Sequence, residues 1–227
     1  MPIDYTKRPN QPEPPAQAPQ PAPAGPSAPV VLTKAAPSVS LAKSSGGMLR
    51  VNLNWNARPT EPRGFFRKAD PSLDLDLGCL YEFVDGSKGV VQALGRAFVA
   101  SDRMSRAPII RLDGDDRSGS VAGGENLLID LAHVDKIKRI LVFALIYEGA
   151  ANWAAADGVA TLFPVNGPSV TIRLDDPRDG ARICAIAMLE TRGGALQVRR
   201  EINYINGGQR ALDQAYGWGM QWAAGRK

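Results

Sequence analysis

The sequence predicts an all-β fold, a β-sandwich of two mostly antiparallel sheets with one or two short helices. Segments of alternating apolar and polar residues recur along the chain, and turns containing Gly and Pro separate them. Few stretches have the period of an amphipathic helix, which leaves little room for the crossover helices that a parallel sheet needs. A chain of 227 residues fits one such domain with an appendage.

The first 43 residues predict a disordered Pro-rich tail, because they contain 11 of the 18 prolines of the chain. A segment of this composition buries too little apolar surface to offset the entropy that ordering costs. We therefore expect a tail over residues 1–43 and a folded domain over residues 44–227. The tail would act as an extended tether or as a ligand for an aromatic-lined groove of a partner.

The predicted strands begin with two segments of clear alternation. Residues 48–56 (MLRVNLNWN) and 73–83 (LDLDLGCLYEF) each place their apolar side chains on one face, and a period of two is typical of a half-buried strand. Further strands are predicted at 89–94, 108–112, 126–131, 140–147, 158–165, 169–174, 182–189 and 195–204. Short helices are predicted at 150–156 and 209–214.

Composition and charge restrict the function classes. The net charge is +4 with scattered Lys and Arg, and no motif predicts nucleic-acid binding. The most apolar run, residues 140–147, is too short to span a bilayer. The amino terminus lacks a signal-peptide pattern, so we expect a cytoplasmic protein whose cysteines, Cys79 and Cys184, stay reduced. The single histidine, His133, restricts any metal to oxygen ligands, and no nucleophile–base motif predicts an enzyme.

Two acidic groups predict a metal site. Asp74 and Asp76 are two apart on a predicted strand, so their carboxylates share one face, roughly 7 Å apart along the backbone. Like charges in this arrangement are unfavourable without compensation. The second group lies in the stretch RLDGDDRSGSVAGGENLLIDL and consists of Asp113, Asp115, Asp116 and Glu125. A cation that bridges the two groups would resolve the conflict, and oxygen ligands from a glycine-rich loop suit calcium.

The same residues also fit an ordinary charged turn. Gly-Asp-Asp is common in turns, because Asp accepts hydrogen bonds from the nearby backbone. Arg111 and Arg117 could compensate the charge without a metal. The spacing is not that of an EF-hand, since Ser118 falls where that motif requires glycine. From the residues alone, a calcium site and a metal-free turn both stay open.

A family resemblance adds to this reading. The ordered motifs LTKAAPS, NLNWNARP, DLDLGCLYEF, GDDRSG, ILVFALIYEGA and YGWG resemble the tellurium-resistance TerD-domain family of calcium-binding stress proteins. The resemblance covers about residues 30–222 and is strongest to TerA-like members with a Pro-rich extension. It implies a β-sandwich that binds calcium through acids of the DLD and GDDRSG motifs. It also implies a role in stress and tellurite resistance that is not an enzyme reaction.

The resemblance assigns the calcium ligands by position. Asp74 and Asp76 match the acidic pair of the family's strand motif. Asp115 and Asp116 match its acidic turn, and Glu125 matches the acid that ends the loop.

This chain departs from the family pattern at two places. Asn56 stands where the family usually has Asp, and SVAGG replaces a loop that is typically rich in acids. Fewer carboxylates predict weaker binding and one calcium ion rather than two. Asp113 is an extra acid that could partly compensate.

The resemblance implies a structural or interaction module. Its partners would be other proteins of a stress and tellurium-resistance assembly, with a membrane-associated assembly as one option. Two alternatives stay open: a metal-free interaction module that has lost its calcium ligands, and a calcium-dependent carbohydrate or anion binder. The sequence predicts neither the oligomeric state nor the identity of the partners.

Overall fold

The computed structural model describes residues 28–41, 46–55, 73–113, 123–150, 152–175, 177 and 180–222. The strands of these residues are β1 Val30–Val31, β2 Ser38–Ser40, β3 Met48–Asn54, β4 Asp74–Phe83, β5 Lys88–Val91, β6 Val99–Ala100, β7 Ile110–Leu112, β8 Glu125–Asp130, β9 Ile137–Glu148, β10 Gly158–Phe163, β11 Val170–Leu174, β12 Ala181–Arg192 and β13 Ala195–Asn206. The α-helices are α1 Trp153–Ala156 and α2 Gln209–Tyr216, and 3-10 turns cover Leu94–Arg96 and Leu131–Lys136.

The strands form two sheets that pack face to face. The first sheet has the order β1-β11-β10-β3-β8-β7-β6, and the second has the order β2-β13-β12-β9-β4-β5. The pairs are antiparallel apart from β1 with β11. The predicted all-β sandwich with short helices is therefore confirmed.

The main core lies between the two sheets and follows from the alternation in the sequence. Leu49, Val51 and Leu53 of β3 are buried on the inner face of the first sheet. Leu75 and Leu77 of β4 are fully buried on the inner face of the second. Both cysteines are buried and form no disulfide, as expected for small core residues.

The outer face of the second sheet is covered as well. Leu80 and Phe143 form a second apolar cluster there with Leu212 of α2 and Trp218. The indole Nε1 of Trp218 donates to the carbonyl oxygen of Tyr81 at 3.0 Å. Helix α2 and residues 217–222 therefore form a third layer on this sheet.

The sheets begin earlier in the chain than the predicted boundary at residue 44. Strand β1 pairs with β11, and β2 pairs with β13, although both lie within the predicted tail. Leu32 and Leu41 are buried in the main core, and their side chains offset the cost of ordering a short segment. Residues 1–27, 42 and 43 lie outside the described residues, so the tail itself stays a prediction.

Several element bounds differ from the predicted ones. Strand β9 is longer than the predicted 140–147, because its pairing with β4 continues to Ile137 at one end and to Glu148 at the other. Strands β12 and β13 are also longer and meet in a two-residue turn. Gly193 and Gly194 form that turn with φ of 57° and 79°. Positive φ at both positions matches the twist of a hairpin and favours glycine.

Candidate metal centre

The first half of β4 has an open edge. Strand β9 pairs with β4 along its whole length, whereas β5 pairs only with Cys79–Glu82. On the β5 side, the N–H of Phe83 donates to the carbonyl of Ser87 at 2.8 Å. Alternate residues of a strand point their N–H groups the same way, so the N–H of Leu77 points to the edge that β5 leaves open.

Glu125 occupies this open position. Its Oε2 accepts a hydrogen bond from the N–H of Leu77 at 2.6 Å. A buried backbone N–H needs an acceptor, and here a carboxylate replaces the carbonyl of a neighbouring strand. Glu125 is only 1 % exposed and begins β8 of the other sheet. The contact therefore joins the two sheets directly.

Gly124 allows the chain to enter β8 at this point. Its φ is +61°, and a Cβ added there would lie 2.1 Å from the carbonyl oxygen of Leu53. That distance excludes every other residue unless the backbone moves. The glycine thus brings the backbone against β3 and places Glu125 at the first inward position of β8.

Asp74 and Asp76 lie on one face of β4, as predicted. They alternate with Leu75 and Leu77, which are in the main core, and they are 5 % and 4 % exposed. They therefore lie on the strand that Glu125 contacts, and their side chains occupy the face of β4 opposite to that of Leu75 and Leu77. Burying several carboxylates together is costly unless donors or cations compensate them.

Sequence analysis missed one further acid. Glu148, the last residue of β9, is the register partner of Asp74, and like charges directly opposite each other are unfavourable. Glu148 stands in the motif ILVFALIYEGA, but only the pairing of β4 with β9 brings it near Asp74. Glu148 is therefore an additional candidate at this end of the sandwich.

Asp113 is placed differently from the buried acids. Its Oδ1 accepts from the backbone N–H of Asn126 at 3.0 Å, and its Oδ2 accepts from the side-chain Nδ2 of the same residue at 2.9 Å. Asn126 follows Glu125 on β8, and successive side chains of a strand point to opposite faces. Asp113 is thus bound on the other side of β8 from Glu125.

Asp115, Asp116 and Asn56 lie outside the described residues, so the structure leaves their predicted role open. Within the described residues, no group of three or more His, Cys, Asp or Glu is arranged to hold a metal ion. The structure brings Glu125 to the backbone of β4 at Leu77, whereas the carboxylate of Asp113 is bound to Asn126.

Two surface pockets lie away from these acids. One has a volume of about 380 Å³ and is lined by Arg210, Asp213 and Trp222, among others. The other has a volume of about 330 Å³ and is lined by residues such as Lys88 and Met220. The residues that line them include no Ser, Cys or His, so neither pocket pairs such a nucleophile with a histidine base. In the part of the chain that the structure describes, no helix has both the length and the apolar character to cross a membrane.

These features define a class of protein, a β-sandwich in which the buried Glu125 of one sheet contacts the backbone of β4 in the other, a strand that carries two further buried carboxylates. The sequence is similar to the tellurium resistance protein TerA of Alcaligenes sp, with 39 % identity over 202 residues. The match covers 87 % of this chain and 58 % of that protein, so the chain spans little more than half of the relative's length. This similarity supports the resemblance to the tellurium-resistance family.

Two other comparisons complete the picture. No family model matches the sequence. The crystal structure of the unknown function protein SAV2460 is similar to this chain with a TM-score of 0.52 and 17 % sequence identity. The match covers 77 % of this chain and 98 % of that one. At this identity it shows a shared fold.

Proposed function

We propose that this chain is a calcium-binding, non-enzymatic module of the tellurium-resistance type, with a TerD-like domain. One observation carries the proposal. The carboxylate of the buried Glu125 reaches from the first sheet to the backbone N–H of Leu77 on β4, the strand that carries the buried Asp74 and Asp76. The similarity to TerA, a tellurium resistance protein, supports the tellurium-resistance part of the proposal.

The chemistry of this donor set fits calcium. Glu125, Asp74 and Asp76 offer carboxylate oxygens only, and Asp115 and Asp116 would add two more from the segment before β8. Hard cations prefer oxygen ligands, and calcium accepts flexible geometry better than magnesium does. A bound cation would offset the repulsion between the buried acids. It would thereby join β4, β8 and the segment between β7 and β8.

The functional consequence would be a stabilised end of the sandwich. An ion that binds only the folded state raises stability through its binding free energy. The fixed end would then offer a defined surface to other proteins of a stress assembly, which could be membrane-associated, and the Pro-rich segment would tether the domain there. In this proposal the carboxylates hold an ion and shape a surface, and they perform no acid–base chemistry.

Titration of the full chain tests the proposal. We expect heat on adding calcium in isothermal titration calorimetry, a rise in Tm with calcium, and little response to magnesium. Asp74→Asn with Asp76→Asn should abolish both signals. Unchanged heat and Tm at millimolar calcium in the native chain would contradict the proposal.

A metal-free interaction module is the second candidate, and a specific contact favours it. The N–H of Leu77 already engages one oxygen of Glu125, and SVAGG in the preceding segment contains no acid. In this case calcium would change nothing, and the acids would serve only to link the sheets. A calcium-dependent carbohydrate or anion binder is a third class, which a glycan array with and without chelator distinguishes.

A further inference from the structure

The outer face of the first sheet carries a row of five side chains that crosses five neighbouring strands, and we name it the arginine row. The strand registers place opposite one another Phe163 and Arg50, Arg50 and Leu128, Leu128 and Arg111, and Arg111 and Val99. Each of the five is next to core residues of its own strand, so their side chains lie on the outer face. The row is thus alternately apolar and cationic.

The row is open to solvent, unlike the outer face of the second sheet. Helix α2 covers that second face with Leu212, whereas Phe163 is 37 % exposed and Val99 is 57 % exposed. Arg111 is exposed as well, and Leu128 is partly exposed. Contiguous apolar surface between polar groups is typical of a surface that binds a partner.

The apolar surface continues beyond Phe163. Met48 lies two residues before Arg50 on the same face of β3 and is 37 % exposed. Val165 is 43 % exposed and lies against Gly47, since a carbon added to that glycine would be 2.8 Å from Val165 Cγ2. The exposed apolar side chains at this end therefore form one connected area.

The charge of the row itself is positive. The guanidinium of Arg50 lies 4.0 Å from the centre of the Phe163 ring, and its Nη1 donates to Asn126 Oδ1 at 3.1 Å, so this cation is held in place. Two acids flank the row in the adjoining positions of β7 and β8. Asp113 accepts from Asn126, and Asp130 accepts from the 3-10 turn that follows it. The row therefore offers cations along one narrow line.

The spacing of the two arginines matches a helix. Neighbouring strands lie about 4.8 Å apart, so Arg50 and Arg111, two strands apart, are separated by roughly 10 Å along the row. Helix residues seven positions apart lie on one face about 10.5 Å apart, and residues three or four positions on lie between them. Side chains on one face of an extended peptide repeat about every 6.8 Å, which does not match both arginines.

We propose that the arginine row is a docking face for an acidic amphipathic helix of a partner protein. Two carboxylates of that helix, seven positions apart, pair with Arg50 and Arg111, since guanidinium and carboxylate form strong paired hydrogen bonds. The apolar residue between the two acids contacts Leu128. The helix crosses the strands, and its ends contact Phe163 and Val99.

The flanking acids favour a narrow partner of this kind. A broad anionic surface, such as a bilayer or a nucleic-acid duplex, would meet Asp113 and Asp130 beside the row, and like charges repel it. A helix places its carboxylates on the row alone. The inference goes beyond the proposed calcium function and does not depend on it, because the row contains none of the proposed calcium ligands.

Fluorescence anisotropy of a labelled peptide with the full chain, in the presence of chelator, tests the docking face. The peptide is an Ala-rich helix of about 18 residues, long enough to cross five strands. It carries two glutamates seven positions apart and leucines on the same face. The control peptide has the same composition, with the second glutamate moved to the opposite face. We expect binding at least about tenfold tighter than that of the control, because the control loses one ion pair.

Charge exchange tests the role of Arg111. Arg111→Glu should weaken binding about tenfold or more, and it should keep a near-native Tm because the side chain is exposed. Its matched control is Arg192→Glu, the same change of charge at an exposed position at the end of β12, which should stay within about twofold of the native affinity. A peptide with lysine in place of one glutamate should regain affinity for Arg111→Glu, because the ion pair is remade with its charges exchanged.

Several results would overturn the docking face. They are absence of peptide binding by the native chain, equal binding of the two peptides, and equal binding by the native chain and Arg111→Glu. Binding to vesicles of phosphatidylcholine and phosphatidylserine that Arg111→Glu abolishes would assign the row to a lipid surface instead. A dimer of the native chain that Arg111→Glu dissociates would assign it to a second copy. A failed calcium titration would overturn the proposed function and leave the docking face standing.

Discussion

Glutamine at position 125 separates the two roles assigned to Glu125. The native carboxylate accepts the N–H of Leu77 at 2.6 Å and supplies a charge to the proposed calcium site. Glu125→Gln keeps an acceptor oxygen of the same reach and removes the charge. We therefore expect the calcium-free protein to stay close to native stability while its response to calcium is lost.

The size of the effect follows from linkage. Calcium at about one hundred times its Kd stabilises the state that binds it by about 2.7 kcal/mol. One kcal/mol moves Tm by about 2–4 °C in a domain of this size, so calcium should raise the Tm of the native chain by about 5–11 °C. Glu125→Gln should show almost none of this rise. Glu125→Ala should also lower the calcium-free stability by about 1.5–3 kcal/mol, because it leaves the Leu77 N–H without its charged acceptor.

Thermal unfolding followed by circular dichroism measures the rise in Tm with calcium and the calcium-free stability of each variant. The measurements are made with calcium, with magnesium and with chelator. The matched control is Glu190→Gln, which removes a carboxylate that pairs with the exposed Arg192 and lies outside the proposed site. It should retain the full calcium response. A full rise in Tm with calcium in Glu125→Gln would refute the reasoning, since a neutral ligand would then serve as well as the native one.

Three further predictions concern the second sheet and its outer layer. Asp213 accepts hydrogen bonds from two backbone N–H groups of residues 219 and 220 and from Trp222 Nε1, each at 2.8 Å. Asp213→Ala should therefore lower the free energy of unfolding in urea by about 3 kcal/mol. An unchanged urea midpoint would contradict this prediction. Burial would raise the pKa of Asp213, but these bonds lower it below its ordinary value. Its stabilisation is then present at neutral pH and lost as pH falls through the lowered pKa. Native stability should therefore fall more steeply than that of Asp213→Ala as the pH is lowered, and parallel losses in the two proteins would contradict the assignment. Gly78→Ala should lower the free energy of unfolding by about 1–3 kcal/mol through overpacking, because the added carbon would lie 2.6 Å from Phe143 Cζ. Gly208→Ala is its control in the same unfolding assay, since a carbon added there would have nothing within 4 Å.

Alternation predicted the strands on which the site is built, and its limits explain what it missed. The period of two in β4 correctly placed Asp74 and Asp76 on the opposite face from Leu75 and Leu77, because successive side chains of a strand point to opposite faces. Strands β1 and β2 escaped notice, since two or three residues carry no measurable period. Their pairing depends on partners more than a hundred residues away.

The position of Asp113 shows a second limit of sequence reasoning. Asp113 and Glu125 stand in one acidic stretch, and nothing in their spacing says which face each occupies. A turn breaks the phase between the strands on its two sides, so side-chain direction cannot be carried across it. The pairing of β7 with β8 sets the direction, and it places the Asp113 carboxylate on Asn126.

The length of β5 explains why Glu125 can reach β4 at this point of the fold. Strand β5 ends at Val91, and its pairing with β4 stops at Cys79. Had β5 continued along β4, a carbonyl would accept the N–H of Leu77 and no carboxylate from the other sheet could approach. The open edge therefore requires an acceptor, and Glu125 supplies one that carries charge. Because that acceptor comes from the first sheet and contacts a strand of the second, any cation bound by Glu125 would lie where the two sheets are joined. A longer β5 would abolish the site and leave the sandwich intact.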